Sequence, residues 1–180
     1  SKFIDKIVVS TDSNEIKKCS FKYGADFVIK RPKYLATDKA TSVDALYHAV
    51  IQSEKILKKK FDFVIELPCV SPLRDHNDID FALNKLFNSK LDSVISYADT
   101  GEKHPIRLKR ISKNKVTNFC KEYSEPSWGS RRQDFEPSYI RNGAIYSMSR
   151  NCILNKKSRW GTKTFPMIMP DIKSVNIDTK

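Results

Sequence analysis

Residues 61–74 read Phe-Asp-Phe-Val-Ile-Glu-Leu-Pro-Cys-Val-Ser-Pro-Leu-Arg, a short apolar run that leads into a loop with two prolines. The run from Phe61 to Leu67 predicts a buried strand, because it is rich in aromatic and β-branched residues and stops at a proline. In open α/β sheets, ligands bind beyond the carboxyl ends of the strands. The loop from Pro68 to Arg74 is therefore expected to border a binding site.

Strands and helices are predicted to alternate on both sides of this stretch. The other early strands are expected at Ile4–Ser10, Phe27–Ile29 and Ser93–Tyr97. One helix is expected at Glu15–Tyr23. Two more are expected to begin at capping residues, one at Thr41 or Ser42 and the other at Asn77. Such alternation implies right-handed crossovers and a largely parallel sheet. The sequence therefore predicts an α/β fold with a mostly parallel mixed sheet and helices on both faces.

The pattern changes after Ala98. Residues 108–119 alternate weakly and predict a hairpin, and residues 118–138 form a long polar and aromatic segment with no helical or strand period. A loop of that length in a compact domain is usually functional or disordered. Late strands are predicted at Asn142–Ser147, Phe165–Met169 and Ser174–Ile177. We interpret residues 1–180 as one domain with an insertion around residues 99–141.

Composition limits the classes of protein. The net charge of +12 favours anionic partners, but the lysines are dispersed and no nucleic-acid motif is present, so binding to nucleic acid is ranked low. No apolar run approaches the roughly 20 residues that span a bilayer. The four cysteines, Cys19, Cys69, Cys120 and Cys152, are widely spaced and predict reduced, mostly packing residues in a cytoplasmic protein.

A cluster of guanidinium groups precedes the predicted strand at residues 142–147. Arg131, Arg132, Gln133 and Arg141 lie just before or beside Asn142-Gly143, a turn-like entry into that strand. Arginine grips carboxylate and phosphate through paired hydrogen bonds. Two interpretations stay open from these residues alone, a pocket for an anionic small molecule and a solvated basic loop.

Taken together, seven motifs resemble the acylneuraminate cytidylyltransferases, also called CMP-sialic acid synthetases, in that family's order and at about its spacing. They are Val9-Ser10-Thr11-Asp12, Arg31-Pro32-x-x-Leu35-Ala36-x-Asp38, Ser71-Pro72-Leu73-Arg74, His104-Pro105, Arg132-Gln133, Asn142-Gly143-Ala144-Ile145-Tyr146 and Ile177-Asp178-Thr179. The resemblance implies a Rossmann-like nucleotide-diphospho-sugar transferase fold and a homodimer. It also implies that CTP and an acidic nine-carbon sugar react with the help of Mg²⁺ to give a CMP-sugar and pyrophosphate.

The resemblance assigns roles to individual residues. It implies catalytic roles for Asp178 and Arg107, nucleotide contacts from Arg31, Ser42 and Asn142, Mg²⁺ binding by Asp178 and Asn176, and sugar contacts from Arg132, Gln133, Tyr146 and Trp160. Arg132 is the candidate for the sugar carboxylate. Trp160, by position only, is the candidate for an aromatic side chain that closes the partner subunit's sugar pocket. Tyr146 could equally be a core aromatic with a satisfied hydroxyl.

Three departures from the family pattern carry expectations of their own. The family's Gly-rich motif, Ala-Arg-x-Gly-Ser-Lys, has no match here, so we expect that the first strand and its loop are missing from this chain. Asn176 stands where the family has aspartate, and Pro68 stands where it has glutamine. Both changes suggest a branch that acts on a related sugar, such as legionaminic or pseudaminic acid.

Alternatives of other kinds remain. A cytidylyltransferase for 3-deoxy-manno-octulosonate shares the fold, although the motif from Arg132-Gln133 to Asn142-Gly143 favours the nonulosonate branch. A non-catalytic homologue acting as a binding or scaffold protein would explain the missing motif and Asn176.

Overall fold

The computed structural model describes residues 1–123, 125 and 131–178, with the backbone alone for Arg132. The helices and strands, in chain order, are β1 Val8–Thr11, α1 Asn14–Lys22, β2 Phe27–Lys30, α2 Ser42–Leu57, β3 Phe63–Glu66, α3 His76–Phe87, β4 Ser93–Asp99, β5 Lys109–Ser112, β6 Lys115–Asn118, β7 Tyr139–Ser149, α4 Arg150–Leu154 and β8 Thr164–Ile168. In this described part, no helix is both long and apolar enough to cross a membrane.

The strands form one four-stranded sheet and two strand pairs. The sheet has the order β3-β7-β4-β8, with β7 antiparallel to both of its neighbours and β4 parallel to β8. The strands β1 and β2 pair in parallel, and β5 and β6 form the predicted hairpin. The α/β prediction is confirmed, and the antiparallel course of β7 makes the sheet mixed.

Two helix caps follow from short polar side chains. Thr41 caps α2, since its Oγ1 accepts a hydrogen bond from the amide of Asp44 at 3.1 Å. The prediction that Asn77 caps α3 is wrong. Asp75 is the cap, and its carboxylate accepts from the amides of Asn77 at 2.8 Å and Asp78 at 3.2 Å. The amide of Asp75 in turn donates to the Asp78 carboxylate at 2.9 Å, which completes a capping box.

The four-stranded sheet is buried on both faces. Alternation along β4 and β7 sends Val94 and Ile145 to one face, against α3, and Ile95 and Tyr146 to the other, against α2 and α4. Val94, Ile95 and Ile145 have no solvent exposure. Burying an aliphatic side chain of this size contributes roughly 1.5–3 kcal/mol. This sheet is therefore the rigid part of the molecule on which a site can be built.

Two further predictions differ from the structure. The segment predicted as a strand at residues 174–177 instead follows a turn of 3-10 helix at Asp171–Ser174, and it makes no strand pairing in the described structure. The cysteines are all free, but Cys19 and Cys69 are exposed, so the prediction that they are packing residues is wrong. Cys152 is buried, and burial raises the pKa of its thiol to about 11.

Candidate active site

A cleft of about 760 Å³ separates β1 from β3. Its walls include Val8–Ser10 of β1, residues 63–66 of β3 and the apolar face of α2. At the carboxyl ends of the two strands, polar groups join the lining, namely Ser10, Arg31, Ser42, Glu66 and Cys69. The prediction that a site borders the loop after β3 agrees with this position, because that end of an open sheet is where ligands bind.

Arg31 is held in place by the end of β1. Its Nη2 donates to the carbonyl of Ser10 at 2.7 Å, and its Nε donates to Ser10 Oγ at 3.3 Å. Arg31 is half-buried, and Ser42, the first residue of α2, lines the same cleft. The structure therefore brings these two predicted nucleotide contacts together. A fixed guanidinium beside the amino end of a helix is suited to an anionic group.

Arg74 organises the loop after β3. Its Nη1 donates to the carbonyls of Pro68 at 2.7 Å, Ser71 at 2.6 Å and Ala144 at 3.3 Å. Burial lowers the pKa of this guanidinium from its ordinary value. Arg74 thus ties the loop to β7, so the last arginine of the Ser71-Pro72-Leu73-Arg74 motif has a structural explanation that the sequence did not reveal.

Asn142 also acts as a tie within the protein. Its Oδ1 accepts from Ser96 Oγ at 2.6 Å and from the amide of Ala144 at 3.2 Å, and its Nδ2 donates to Ser174 Oγ at 2.9 Å. The residue is buried, with 7% of its surface exposed. These contacts join β4, β7 and the turn before Asn176, so Asn142 positions neighbouring segments. Its predicted contact with the nucleotide stays a prediction.

The two predicted metal ligands lie beside the loop after β3. The amide of Ile177 donates to the carbonyl of Val70 at 2.8 Å, which brings the segment from Asn176 to Asp178 against the loop. A Cβ added at Gly143, whose φ is +72°, would lie 3.8 Å from both Asn176 Nδ2 and Ser71 Oγ. The Oγ of Ser71 is buried and has no hydrogen-bond partner among the described residues.

The donor set at this point is small. Asp178 offers one carboxylate and Asn176 one amide oxygen, and both residues are exposed. No group of three or more His, Cys, Asp or Glu side chains that could hold a metal occurs in the described ranges. Mg²⁺ commonly binds through one or two carboxylates, with water and substrate phosphate completing its shell. The residues therefore fit a Mg²⁺ ion that is shared with a phosphorylated substrate.

The predicted sugar residues Tyr146 and Trp160 are connected by Arg159. The guanidinium carbon of Arg159 lies 4.3 Å from the Tyr146 ring centroid and 5.7 Å from that of Trp160. Its Nη1 donates to Glu66 Oε2 at 3.0 Å, and Glu66 is the register partner of Tyr146 across β3 and β7. Sequence reasoning missed Arg159 and Glu66. The sequence held one sign of this pair, since Glu66 is a charged residue at the end of the otherwise apolar strand β3.

The loop that carries Arg159 and Trp160 is anchored by Asp92. The Asp92 carboxylate accepts from Lys156 Nζ at 2.7 Å and from the amides of Thr162 at 2.8 Å and Lys163 at 3.0 Å. The hydrogen bond from Lys156, followed by those from the backbone amides, holds the pKa of Asp92 well below its usual range. The position of Trp160 therefore depends on a buried carboxylate at the start of β4.

Arg107 belongs to a second cluster beyond the carboxyl end of β4. It forms an ion pair with Glu102, and its guanidinium carbon lies 5.9 Å from the Phe135 ring centroid. The His104 ring stacks on Phe135 at 4.8 Å between centroids, and its Nε2 lies 3.1 Å from the carbonyl of Glu136. Arg107 is thus packed against the segment that contains Gln133, which is exposed. The predicted contact from Arg132 falls on a side chain outside the described structure.

Comparison with known proteins finds relatives that match nearly the whole of this chain. Post-translational flagellin modification protein B of Campylobacter coli is 30% identical over 180 residues, which cover all of this chain and 74% of that protein. An N-acylneuraminate cytidylyltransferase of Streptococcus agalactiae is 31% identical over 174 residues, and this chain spans 40% of its length. The CMP-N,N'-diacetyllegionaminic acid synthase of Campylobacter jejuni is 29% identical over 180 residues, or 74% of its length.

A solved structure shows the same fold. CMP:2-keto-3-deoxy-manno-octonic acid synthetase complexed with CTP aligns with a TM-score of 0.57 at 14% identity, over 92% of this chain and 73% of that chain. The family described as cytidylyltransferase matches residues 1–160. The expected resemblance is thereby confirmed, and the chain belongs to the cytidylyltransferase family.

Proposed function

We propose that the protein joins CTP and a nonulosonic acid, which is sialic acid or a relative, to give the CMP-sugar and pyrophosphate. The observation that carries the proposal is that Arg31 and Ser42 line one cleft together with Pro68 and Cys69 of the loop after β3. The names of relatives support the acceptor, since they include N-acylneuraminate, legionaminic acid and pseudaminic acid cytidylyltransferases.

The proposed reaction is a nucleotidyl transfer. The anomeric oxygen of the sugar forms a bond to the α-phosphorus of CTP, the bond from that phosphorus to the departing oxygen breaks, and pyrophosphate leaves. Such transfers depend chiefly on positioning and on neutralising the charge of the phosphates. Arg31 is oriented for this by its hydrogen bonds to Ser10, and Arg107 is the further cation that we propose for the phosphates or the sugar.

Mg²⁺ is part of the proposal. Asp178 and Asn176 would hold it, and the ion would neutralise phosphate charge when CTP is bound. The asparagine contributes an oxygen without charge, so we expect weaker metal binding than two carboxylates would give. Removing Mg²⁺ with a chelator is expected to abolish pyrophosphate release.

We also propose that the cleft between β1 and β3 holds the family's first strand in the full-length protein. One edge of β1 pairs with β2 and one edge of β3 pairs with β7, and no described strand pairs with the other edge of either. A strand placed between them would satisfy both edges and would deliver the Gly-rich loop to the carboxyl end of the cleft. Slow amide exchange at alternate residues of both edges in the full-length protein would support this.

We further propose a cytoplasmic homodimer. The support is the family resemblance and the exposure of Trp160. This residue has 41% of its surface accessible and lies in the loop that Asp92 anchors. Light scattering of the full-length protein measures its mass in solution, and a monomer at micromolar concentration would contradict the proposal.

The test of function is pyrophosphate release by the full-length protein from CTP and Mg²⁺ with each of several sugars: N-acetylneuraminic, legionaminic and pseudaminic acid and 3-deoxy-manno-octulosonate. We expect turnover with at least one nonulosonic acid. Turnover with the octulosonate alone would establish the second candidate, which is favoured only by the likeness in fold. CTP binding without turnover on any sugar would favour the non-catalytic homologue.

A further inference from the structure

The ion pair between Glu66 and Arg159 links a residue that lines the cleft, Glu66, to the loop after α4. The carboxylate of Glu66 ends β3, where it lines the cleft together with Arg31 and Ser42. The distance from Arg159 Nη1 to Glu66 Oε2 is 3.0 Å, and the side chains are only 17% and 21% exposed. The pair therefore connects Glu66 in the cleft to the aromatic side chains of Tyr146 and Trp160, which the Arg159 guanidinium contacts.

Stability alone gives little reason for this pair. Partly buried charges lose hydration, and replacing such a pair with apolar side chains of similar volume is often neutral or stabilising. The neighbouring positions of β3, Val64 and Ile65, are apolar and pack into the core of the sheet. An aliphatic residue at position 66 would continue that pattern. A charged pair at the edge of a proposed binding site therefore suggests recognition.

The pair also has unused hydrogen-bonding capacity. Arg159 Nε is buried without a partner among the described residues, whereas Nη1 donates to Glu66. Arg159 is held by its stacking on Tyr146 at 4.3 Å, so the guanidinium is fixed before any ligand arrives. A carboxylate only accepts hydrogen bonds and a guanidinium only donates them. Side by side, they complement a ligand group that donates from one atom and accepts at the next.

We propose that Glu66 and Arg159 are specificity-determining residues that bind an acylamino substituent of the sugar. In this arrangement the N–H of the substituent donates to the Glu66 carboxylate and its carbonyl oxygen accepts from the Arg159 guanidinium. A hydroxyl group at the same ring position has a single oxygen and satisfies one partner. This inference rests on the proposed function, and it adds the substrate feature that the site selects.

The test compares two nonulosonic acids that differ only in one substituent, acylamino in one and hydroxyl in the other. The full-length protein is assayed for pyrophosphate release, and the ratio of the two kcat/KM values is the readout. Because a hydrogen bond to a charged group is involved, we expect the wild type to prefer the acylamino sugar by roughly tenfold or more. In the double variant Glu66→Leu/Arg159→Leu, the ratio is expected to fall to about one, because neither hydrogen-bond partner of the acylamino group remains.

Two sets of variants separate recognition from folding. Glu66→Gln and Arg159→Lys keep the size and polarity of the site, so they test the inference even if the double variant does not fold. Each is expected to lower the ratio of the two kcat/KM values, but less than the double variant does. The matched control is Glu54→Gln/Arg150→Lys, which alters a bidentate pair with distances of 2.7 and 2.8 Å and is expected to leave the ratio unchanged.

The outcomes distinguish this inference from the function on which it rests. If the wild type releases no pyrophosphate with any sugar, the proposed function fails. If the wild type turns over but shows no preference for the acylamino sugar, the inference is overturned while the function stands. An unchanged preference in the folded variants of Glu66 and Arg159 overturns it in the same way.

Discussion

The four-stranded sheet and the β1–β2 pair, on the two sides of the cleft, are built differently. Five of the seven residues of β4 are buried, and Val94 and Ile95 have no exposure. In the pair, the buried residues are Thr11 of β1 and Ile29 of β2. The sheet is covered by α3 on one face and by α2 and α4 on the other, whereas one edge of β1 borders the open cleft.

The candidate site therefore has one part on the rigid sheet and another on the less buried β1–β2 pair. The sheet side provides Asn142, Gly143 and Tyr146 on a strand that is hydrogen-bonded along both edges. The β1–β2 side provides Arg31 and has fewer buried contacts, so its local opening should cost less free energy. A nucleotide that contacts both sides would therefore stabilise the weaker side most. Four predictions follow this comparison in order of decreasing effect.

The largest expected effect on stability comes from replacing a β-branched aliphatic side chain with alanine, which we compare between the four-stranded sheet and the β1–β2 pair. Ile145→Ala removes a side chain with no exposure from the centre of the sheet, and we expect a loss of about 2–5 kcal/mol in the free energy of unfolding. Val9→Ala, on half-buried β1, should cost about 1 kcal/mol. Urea denaturation of both variants measures the difference, and equal losses would contradict the comparison.

Asp92→Asn is expected to destabilise the protein by about 1–3 kcal/mol at neutral pH, because the hydrogen bonds that its carboxylate accepts from Lys156, Thr162 and Lys163 are weakened. The pKa of Asp92 is lower in the folded protein than in the unfolded chain. Its contribution is therefore complete above the unfolded pKa of about 3.9 and is lost as the pH falls toward the lowered value. Denaturation of the wild type and the variant at pH 7 and pH 3 checks this. A difference in their free energies of unfolding that is larger at pH 3 than at pH 7 would refute it.

Arg31→Lys should weaken CTP binding by about tenfold in the full-length protein, since an ammonium cannot keep both contacts to Ser10 and still present a flat fork to the ligand. Isothermal titration with CTP gives the dissociation constant. Arg150→Lys, a change at an arginine that pairs with Glu54, is the control and should bind CTP as the wild type does.

The smallest effect is expected at Gly143, in the part of β7 where its register with β4 shifts. Gly143→Ala places a side chain at a φ of +72°, which costs about 1 kcal/mol, although the nearest atoms at 3.8 Å leave room for the methyl group. Thermal unfolding should show a small decrease in Tm. A loss of stability as large as that of Ile145→Ala would mean that Gly143 is packed more tightly than its contacts indicate.

The sequence predicted many elements of the fold, including one for which the alternation was weak. The strand before Pro68, the helix that starts at Ser42 and the hairpin at residues 108–119 are all present. The cap of α3 was misplaced because Asp75 and Asn77 are both good capping residues, and only the reciprocal hydrogen bond with Asp78 distinguishes them. The segment at residues 174–177 has strand composition but lacks a strand partner in the described structure.

The motifs named residues that the structure places in one cleft, but they gave no sign of the contacts between distant segments. Arg31 and Ser42 were expected near a nucleotide, and they share one cleft. Glu66 and Arg159 are 93 residues apart, and their pairing depends on the register of β3 with β7 and on the loop that Asp92 anchors. No local pattern encodes such a pairing.

The central claim is that the two sides of the cleft form one nucleotide site, and hydrogen exchange of the full-length protein with and without CTP and Mg²⁺ tests it most directly. We predict that CTP slows exchange in residues 8–11 and 31–43 and also in residues 68–71, with the larger change on the β1–β2 side. Protection confined to one side, or no protection at saturating CTP, would contradict the account.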